Sequence, residues 1–311
     1  MCASKDFKNY ELLVQKMDSK YLLKKVWKIN GGVSAEVHGL AVENADGNTI
    51  KMAVRKHGHK DISRNPKIAE DEFRLLQVLK AQGIPVPLPY FIEKTGEILS
   101  APCLVMEYIE GTANIADDNV IPCMKVLAAK LSRIHRLEIR SLNLTFLPST
   151  EEVLYDIFKK GGEDFIQRKL RSAIPLSGNN KKVLLHGDFW PGNVLWNDGK
   201  IASIIDWEDA SIGDPLADLA NARLEVLFQY GKQAMNYFTD QYQSIMSDLD
   251  YSNLPFWDLF AAMRLSNFAD WGLEIDAVNR MGERRDWFIK NALNEQGNPG
   301  PGQDKSFLDR R

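Results

Sequence analysis

Cysteine and histidine are scarce in this chain, and long apolar runs are missing altogether. Its 311 residues hold three cysteines, Cys2, Cys103 and Cys123. They form neither a ligand pair nor a disulfide framework, which suits a reducing compartment. The five histidines, His38, His57, His59, His135 and His186, show no His-x3-His or His/Cys spacing, so a histidine-built metal hydrolase is excluded. No stretch approaches 18 uninterrupted apolar residues, so no membrane partner is expected. The start, with Lys5, Asp6, Lys8, Glu11 and Lys16, lacks the apolar core of a signal peptide, and the cytoplasm is the expected location. Charge of one sign is lacking too: a net of −3 gives no reason to expect a nucleic-acid partner. What remains, 44% hydrophobic and 26% charged residues, is ordinary for a globular enzyme long enough to build two lobes.

The first hundred residues read as strands with one helix. Lys25–Ile29, Ala35–Val42 and Thr49–Lys56 carry β-branched or alternating apolar residues, with Asn44-Ala45-Asp46-Gly47-Asn48 as a hairpin turn. Pro66–Gln82 has helical period and stops at Gly83, before Pro85, Pro87 and Pro89. Strands at Tyr90–Glu93 and Pro102–Ile109 follow. Beyond Gly111 the pattern turns helical, at 118–137, 151–171, 215–230, 232–246, 254–273 and 276–294, with a small β-patch at 183–206. The tail from Gln296, rich in Gly and Pro, reads as disordered. The layout predicts an α+β, two-lobed fold: a small β-rich lobe over residues 1–108, a larger, mainly helical lobe over 109–295, and a disordered tail over 296–311.

The chemistry concentrates in His186-Gly187-Asp188-Phe189-Trp190-Pro191-Gly192-Asn193 and Ile204-Ile205-Asp206-Trp207. Asp188-x4-Asn193 matches the tail of the kinase catalytic-loop pattern, with Gly187 where protein kinases carry Arg. Phosphoryl transfer needs a base to orient the attacking hydroxyl and oxygen ligands for Mg²⁺; Asp188 suits the first task, Asn193 and Asp206 the second. On the strand Thr49–Lys56, Ala53 and Arg55 share one face and Lys56 the other. Met52-Ala53-Val54-Arg55 is similar to the kinase strand whose cation reaches phosphates, and a guanidinium can pair bidentately with them. On that strand alone Lys56 competes for the role, and a surface Arg is the plain alternative. Glu72 lies on a helical stripe with Leu75, Leu76 and Leu79, where a carboxylate is costly unless paired; otherwise it marks a solvated helix edge. Asn30-Gly31-Gly32-Val33-Ser34 would bring backbone amides and the Ser34 hydroxyl to phosphates, or is simply a turn. The strand ending at Gly111 would offer the backbone of Glu107 and Ile109 to a nucleotide base, or is an ordinary strand end. His186 reads as a structural holder of the loop, Asp214 as a helix N-cap, and Asp218 either as a brace beneath the loop or as helix-dipole stabilisation.

Together these residues resemble the aminoglycoside phosphotransferase and choline kinase superfamily, the protein-kinase-like small-molecule phosphotransferases. The resemblance runs from about Val26 to Trp271. It is strongest in His186-Gly187-Asp188-x4-Asn193, Ile205-Asp206-Trp207-Glu208 and Gly213-Asp214-Pro215-x2-Asp218-Leu219. It implies Asp188 as catalytic base, Asn193 and Asp206 as Mg²⁺ ligands, Arg55 on the phosphates oriented by Glu72, and ATP or GTP as donor. Arg55 departs from the Lys-bearing branches of the superfamily.

The acceptor should be a small molecule carrying a hydroxyl: an aminoglycoside-like antibiotic, an amino alcohol or a sugar. Residues 207–290 contain 14 Asp and Glu against 7 Lys and Arg, which would draw a cationic acceptor. Glu208, Asp209, Asp270 and Trp271 are the candidate contacts, although a lone Trp on a helix is more often core. A protein kinase would need a longer activation segment than the nine residues from Asp206 to Pro215. A glycosidase using Asp206 and Glu208 would leave the Asn193 spacing a coincidence. A catalytically weak nucleotide-binding module is the non-enzyme alternative. Either a monomer or a homodimer is compatible with the sequence.

Overall fold

The computed structural model describes residues 3–29, 35–160, 164–174, 176 and 180–297. In chain order the first part holds α1 (Ala3–Met17), β1 (Leu22–Ile29), β2 (Glu36–Glu43), β3 (Thr49–Lys56), α2 (His59–Arg64), α3 (Ile68–Ala81), β4 (Pro89–Glu93) and β5 (Cys103–Glu107). The middle holds α4 (Val120–His135), α5 (Thr150–Lys160), α6 (Phe165–Ser172), β6 (Val183–Leu185), β7 (Val194–Asn197), β8 (Lys200–Ile204) and β9 (Ser211–Gly213). The last part is helical: α7 (Pro215–Ile245), α8 (Leu254–Arg264) and α9 (Ile275–Gly297). The architecture is the expected α+β one.

The chain forms two compact units. Met1–Asn114, Glu138–Leu147 and Gly192–Asp209 make the first; Ile115–Leu137, Pro148–Pro191 and Ala210–Arg311 make the second. Gly192–Asp209, which sequence order would give to the C-terminal part, thus clusters with the N-terminal sheet.

The first unit is built on a five-stranded antiparallel sheet in the order β1-β2-β3-β5-β4. β3 is central and covered on both faces, so the consecutive residues Met52, Ala53, Val54 and Arg55 are all buried. Glycine is required at Gly39 on β2, because a Cβ there would meet the Trp27 ring at 2.1 Å. α1 was not among the expected elements. Its buried Tyr10, Leu13 and Val14, flanked by Phe7 and Met17, pack with Leu40, Val42, Met52 and Val54. Positions 7, 10, 13, 14 and 17 do make one helical stripe, but the charges between them dilute the pattern. β7 and β8 form a separate hairpin in this unit, turning through Asp198 and Gly199 at φ 48 and 71.

The second unit is helical, with β6 and β9 as a small antiparallel pair. Asp214 caps α7 by accepting from the Leu216 amide at 3.0 Å, and Pro215 takes the first turn. The expected break between 230 and 232 is present as non-helical Gly231 (φ 82) inside α7. The helix expected over 151–171 is two, because Asp164 starts α6 by capping Gln167 at 2.8 Å. The helix expected over 254–273 ends at Arg264, and Phe268–Trp271 is a 3₁₀ turn. α9 continues to Gly297; the rest of the tail expected to be disordered, 298–311, lies outside the described residues. No described helix is long and apolar enough to cross a membrane.

Candidate active site

In the first unit the predicted site residues gather around Arg55. Strand alternation turns its side chain to the same side as that of Ala53, and it is buried at 5% exposure. The contact expected with Glu72 is present: Arg55 Nη1 donates to Glu72 Oε1 at 3.3 Å. Two further carboxylates join it, since Nη2 donates to Asp206 Oδ1 and to Glu208 Oε2, each at 2.6 Å. Burial works against the charge on Arg55, but Glu72, Asp206 and Glu208 outweigh it and raise its pKa, so it stays cationic. Burial pushes the Glu72 carboxyl up to about 7, against the pull of Arg55. His57 Nε2 lies 3.3 Å from Glu72 Oε2. Burial and then Arg55 press the His57 pKa down to about 3, so this is a neutral imidazole against a carboxyl and not an ion pair. Lys56, on the other face of β3, pairs with Glu36.

Asp206 takes a left-handed backbone, φ 68, which a non-glycine residue adopts only when its surroundings hold it there. Its surroundings do so. The Ile204 amide donates to Pro85 O at 2.7 Å, the Ile205 amide to Asn193 O at 2.9 Å, and the buried Trp207 indole to Ile204 O at 3.1 Å. The bond from Ile205 ties the Asn193 segment to the one bearing Asp206, so two hard oxygen donors come from neighbouring segments. Among the described residues no group of three or more His, Cys, Asp and Glu could hold a metal ion. An Asn–Asp pair fits a metal that takes its other ligands from phosphates and water, as Mg²⁺ does.

The expected base contact is less open at Glu107. Its amide donates to Leu88 O at 2.8 Å, and its carboxylate accepts from the Leu88 amide and Lys80, both at 3.1 Å. Ile109 lies beyond the end of β5. Ser34 falls outside the described residues. Asp209 is paired with Arg64 Nη1 at 2.7 Å.

In the second unit the catalytic-loop sequence is held by main-chain bonds. Gly187 adopts φ 83, which explains why a glycine stands where protein kinases have Arg. Asp218, fully buried on α7, accepts from the His186 amide at 2.7 Å and the Gly187 amide at 2.8 Å, so it braces the loop. Below it, His135 Nε2 lies 3.2 Å from Asp218 Oδ2 and His135 Nδ1 lies 2.6 Å from the Tyr242 hydroxyl. Despite its burial, the hydrogen bond from His135 and the loop's own donors lower the Asp218 pKa. His186 is fully buried, receives the Asp188 amide on Nδ1 at 3.3 Å, and meets Phe189 edge-on, in keeping with a structural role. Asn221 Nδ2 donates to Asp188 Oδ1 at 3.3 Å.

The sequence reading missed Asn221, Glu225 and Arg264. Asp218, Asn221 and Glu225 recur at helical spacing through the run Leu216–Phe228, which apart from them and Arg223 is apolar, a signal that was available. Glu225 is buried; desolvation, with the nearby Asp188 charge adding and Arg264 opposing, pushes its pKa up to about 8. Arg264 donates to Gly187 O at 2.8 Å. Trp271 packs against Phe268 in the 3₁₀ turn, with ring centres 6.5 Å apart; Asp270 belongs to the same turn.

Comparison with known proteins gives the family and the fold. Residues 4–248 match the model of the phosphotransferase enzyme family. Acyl-CoA dehydrogenase family member 10 of Mus musculus is 25% identical over 225 residues, covering 61% of this chain but 20% of that protein. The chain therefore spans about a fifth of that relative's length. Viomycin phosphotransferase of Streptomyces vinaceus is 32% identical over 79 residues, 24% of this chain and 27% of that protein. A thermostable mutant of an aminoglycoside phosphotransferase, in ternary complex with AMP-PNP and hygromycin B, matches with a TM-score of 0.60 over 90% of this chain and 97% of its own. At 14% identity that match shows the fold, a kinase-like one. With more than half of its length matched by the family model, the chain belongs to the phosphotransferase enzyme family.

Proposed function

We propose that the chain transfers the γ-phosphate of ATP or GTP to a hydroxyl of a small molecule, with Asp188 as catalytic base and Asn193 and Asp206 as ligands of Mg²⁺. The observation that carries this reading is Asp188 itself: a partly exposed carboxylate on a loop fixed by Asp218, with Asn221 directing one oxygen. Such a carboxylate can accept the hydroxyl proton as the phosphorus–oxygen bond forms. Arg55 serves the phosphates, Glu72 keeps it in place, and Ile109 and the Glu107 carbonyl serve the nucleotide base. Asn193 and Asp206 would hold Mg²⁺, which would supply positive charge against that developing on the phosphates. The acceptor is cationic, such as an amino sugar or an amino alcohol, with Asp270 and Trp271 among its contacts. The neighbour seen with AMP-PNP and hygromycin B supports a nucleotide donor and an aminoglycoside-class acceptor.

A second reading has its own observation. The relatives named as acyl-CoA dehydrogenase family members contain this domain as 20–24% of their length, which favours a hydroxylated acyl compound as acceptor. The test is turnover of Mg·ATP and Mg·GTP against a panel of aminoglycosides, viomycin-like peptides, amino alcohols, sugars and hydroxyacyl compounds, with the product identified by mass. A phosphorylated amine-bearing product is expected. Nucleotide binding without any phosphorylated product would favour the catalytically weak module instead, and a phosphorylated hydroxyacyl product the second reading.

A further inference from the structure

Glu208 entered the sequence reading as an acceptor contact, yet its carboxylate is directed at the guanidinium of Arg55. The two carboxylates that share Arg55 Nη2 are not equivalent. The Asp206 side chain is 27% exposed and that of Glu208 only 9%, while both distances are 2.6 Å. Asp206 is the partner that solvent, and so a ligand, can reach; Glu208 is the one shut inside. Between them in sequence, Trp207 is buried at 1% exposure. Glu72 takes the opposite end of the guanidinium through Nη1. His57 Nδ1 lies 4.0 Å from Glu208 Oε2. A buried guanidinium that lost its contact with Asp206 would still need a fixed anionic partner on Nη2, and Glu208 is the one in reach.

We infer that Glu208 is a positioning residue for the nucleotide: with Glu72 it brackets Arg55 from both ends and holds it independently of Asp206. This rests on the phosphotransferase reading only in assigning Arg55 to the phosphates. It moves Glu208 from the acceptor side of the reaction to the donor side. It also gives Arg55, in place of the more usual Lys, a physical reason. A planar fork with two terminal nitrogens can be gripped by two carboxylates at once, whereas an ammonium offers one point of charge.

Isothermal titration of the full chain with Mg·AMP-PNP tests it without knowledge of the acceptor. Glu208→Gln should raise the Kd about tenfold, while the melting temperature stays close to that of the parent. In an Arg55→Lys background the same change should cost less than about twofold, because the fork it grips is gone. A merely structural role for Glu208 would give equal losses in both backgrounds and would overturn the inference. Should Glu208→Gln fail to fold, Glu208→Asp withdraws the carboxylate by one methylene and should weaken binding several-fold; unchanged affinity in that variant would overturn the inference equally. If the parent protein itself does not bind Mg·AMP-PNP, the phosphotransferase reading falls and takes the inference with it. If the parent binds and Glu208→Gln binds equally well, only the inference falls.

Discussion

The two units hold their functional charges in opposite ways. In the first, one cation, Arg55, is surrounded by three carboxylates, all contacts running side chain to side chain. In the second, Asp188 is steadied by a neutral amide, Asn221, on a loop whose backbone is fixed from below by Asp218. A cation gripped by anions is fixed in place and keeps its charge, which suits a group that must hold phosphates. A carboxylate that accepts a directional bond from an amide has one oxygen aimed, which suits a base. On the proposed function the first unit would bind the nucleotide and the second would take the proton, and that contrast can be broken at several points.

The largest effect is expected at Asp218. Replacing it by Ala takes their Asp218 acceptor from the amides of His186 and Gly187 and from the buried His135, a loss of about 3–5 kcal/mol. Chemical denaturation should show it, and a loss below about 1 kcal/mol would mean that the loop does not depend on this brace. Next comes Arg55→Ala, which strips three carboxylates of their common cation. The nucleotide KM should rise on the order of 10²-fold, with a smaller fall in kcat. A pure kcat effect would place Arg55 with the chemistry and erase the contrast.

A subtler break concerns pH. The Glu225 carboxyl sits at about 8 in the fold, above its ordinary value of 4.5. A raised carboxyl pKa favours the protonated folded form, so its contribution is full below about 4.5 and is lost as pH rises through about 8. Across that window the parent should lose stability relative to Glu225→Gln, as melting temperatures at successive pH values would reveal. Parallel curves would contradict it. The smallest effect is expected at Lys56, whose pair with Glu36 is partly exposed. Lys56→Ala should change stability by less than about 0.5 kcal/mol and leave the nucleotide KM alone; a larger rise in KM there than at Arg55 would reverse the assignment of the two faces of β3.

Much of this was legible in the sequence, and for a common reason. Where a residue's neighbours are set by local periodicity, reading works. Strand alternation put Arg55 on the side that meets Glu72, the leucine stripe turned Glu72 inward, and Gly231 marked the break in α7. What could not be read depends on contacts between distant segments. Nothing near Glu208 in sequence says that Arg55 lies against it, and Asp209 looks equally available until Arg64 is seen to hold it. Asn221 and Glu225 had a helical spacing that pointed at the loop, but buried polar residues on an apolar helix do not name their partners.

The division of labour itself is tested most directly at Asp188. Asp188→Asn keeps the shape of the side chain but cannot accept the hydroxyl proton. Binding of Mg·AMP-PNP and single-turnover transfer should be measured on the same preparation. The account predicts a Kd within about twofold of the parent and a transfer rate lower by roughly 10²–10⁴-fold. Near-normal transfer, or loss of nucleotide binding in step with transfer, would contradict it.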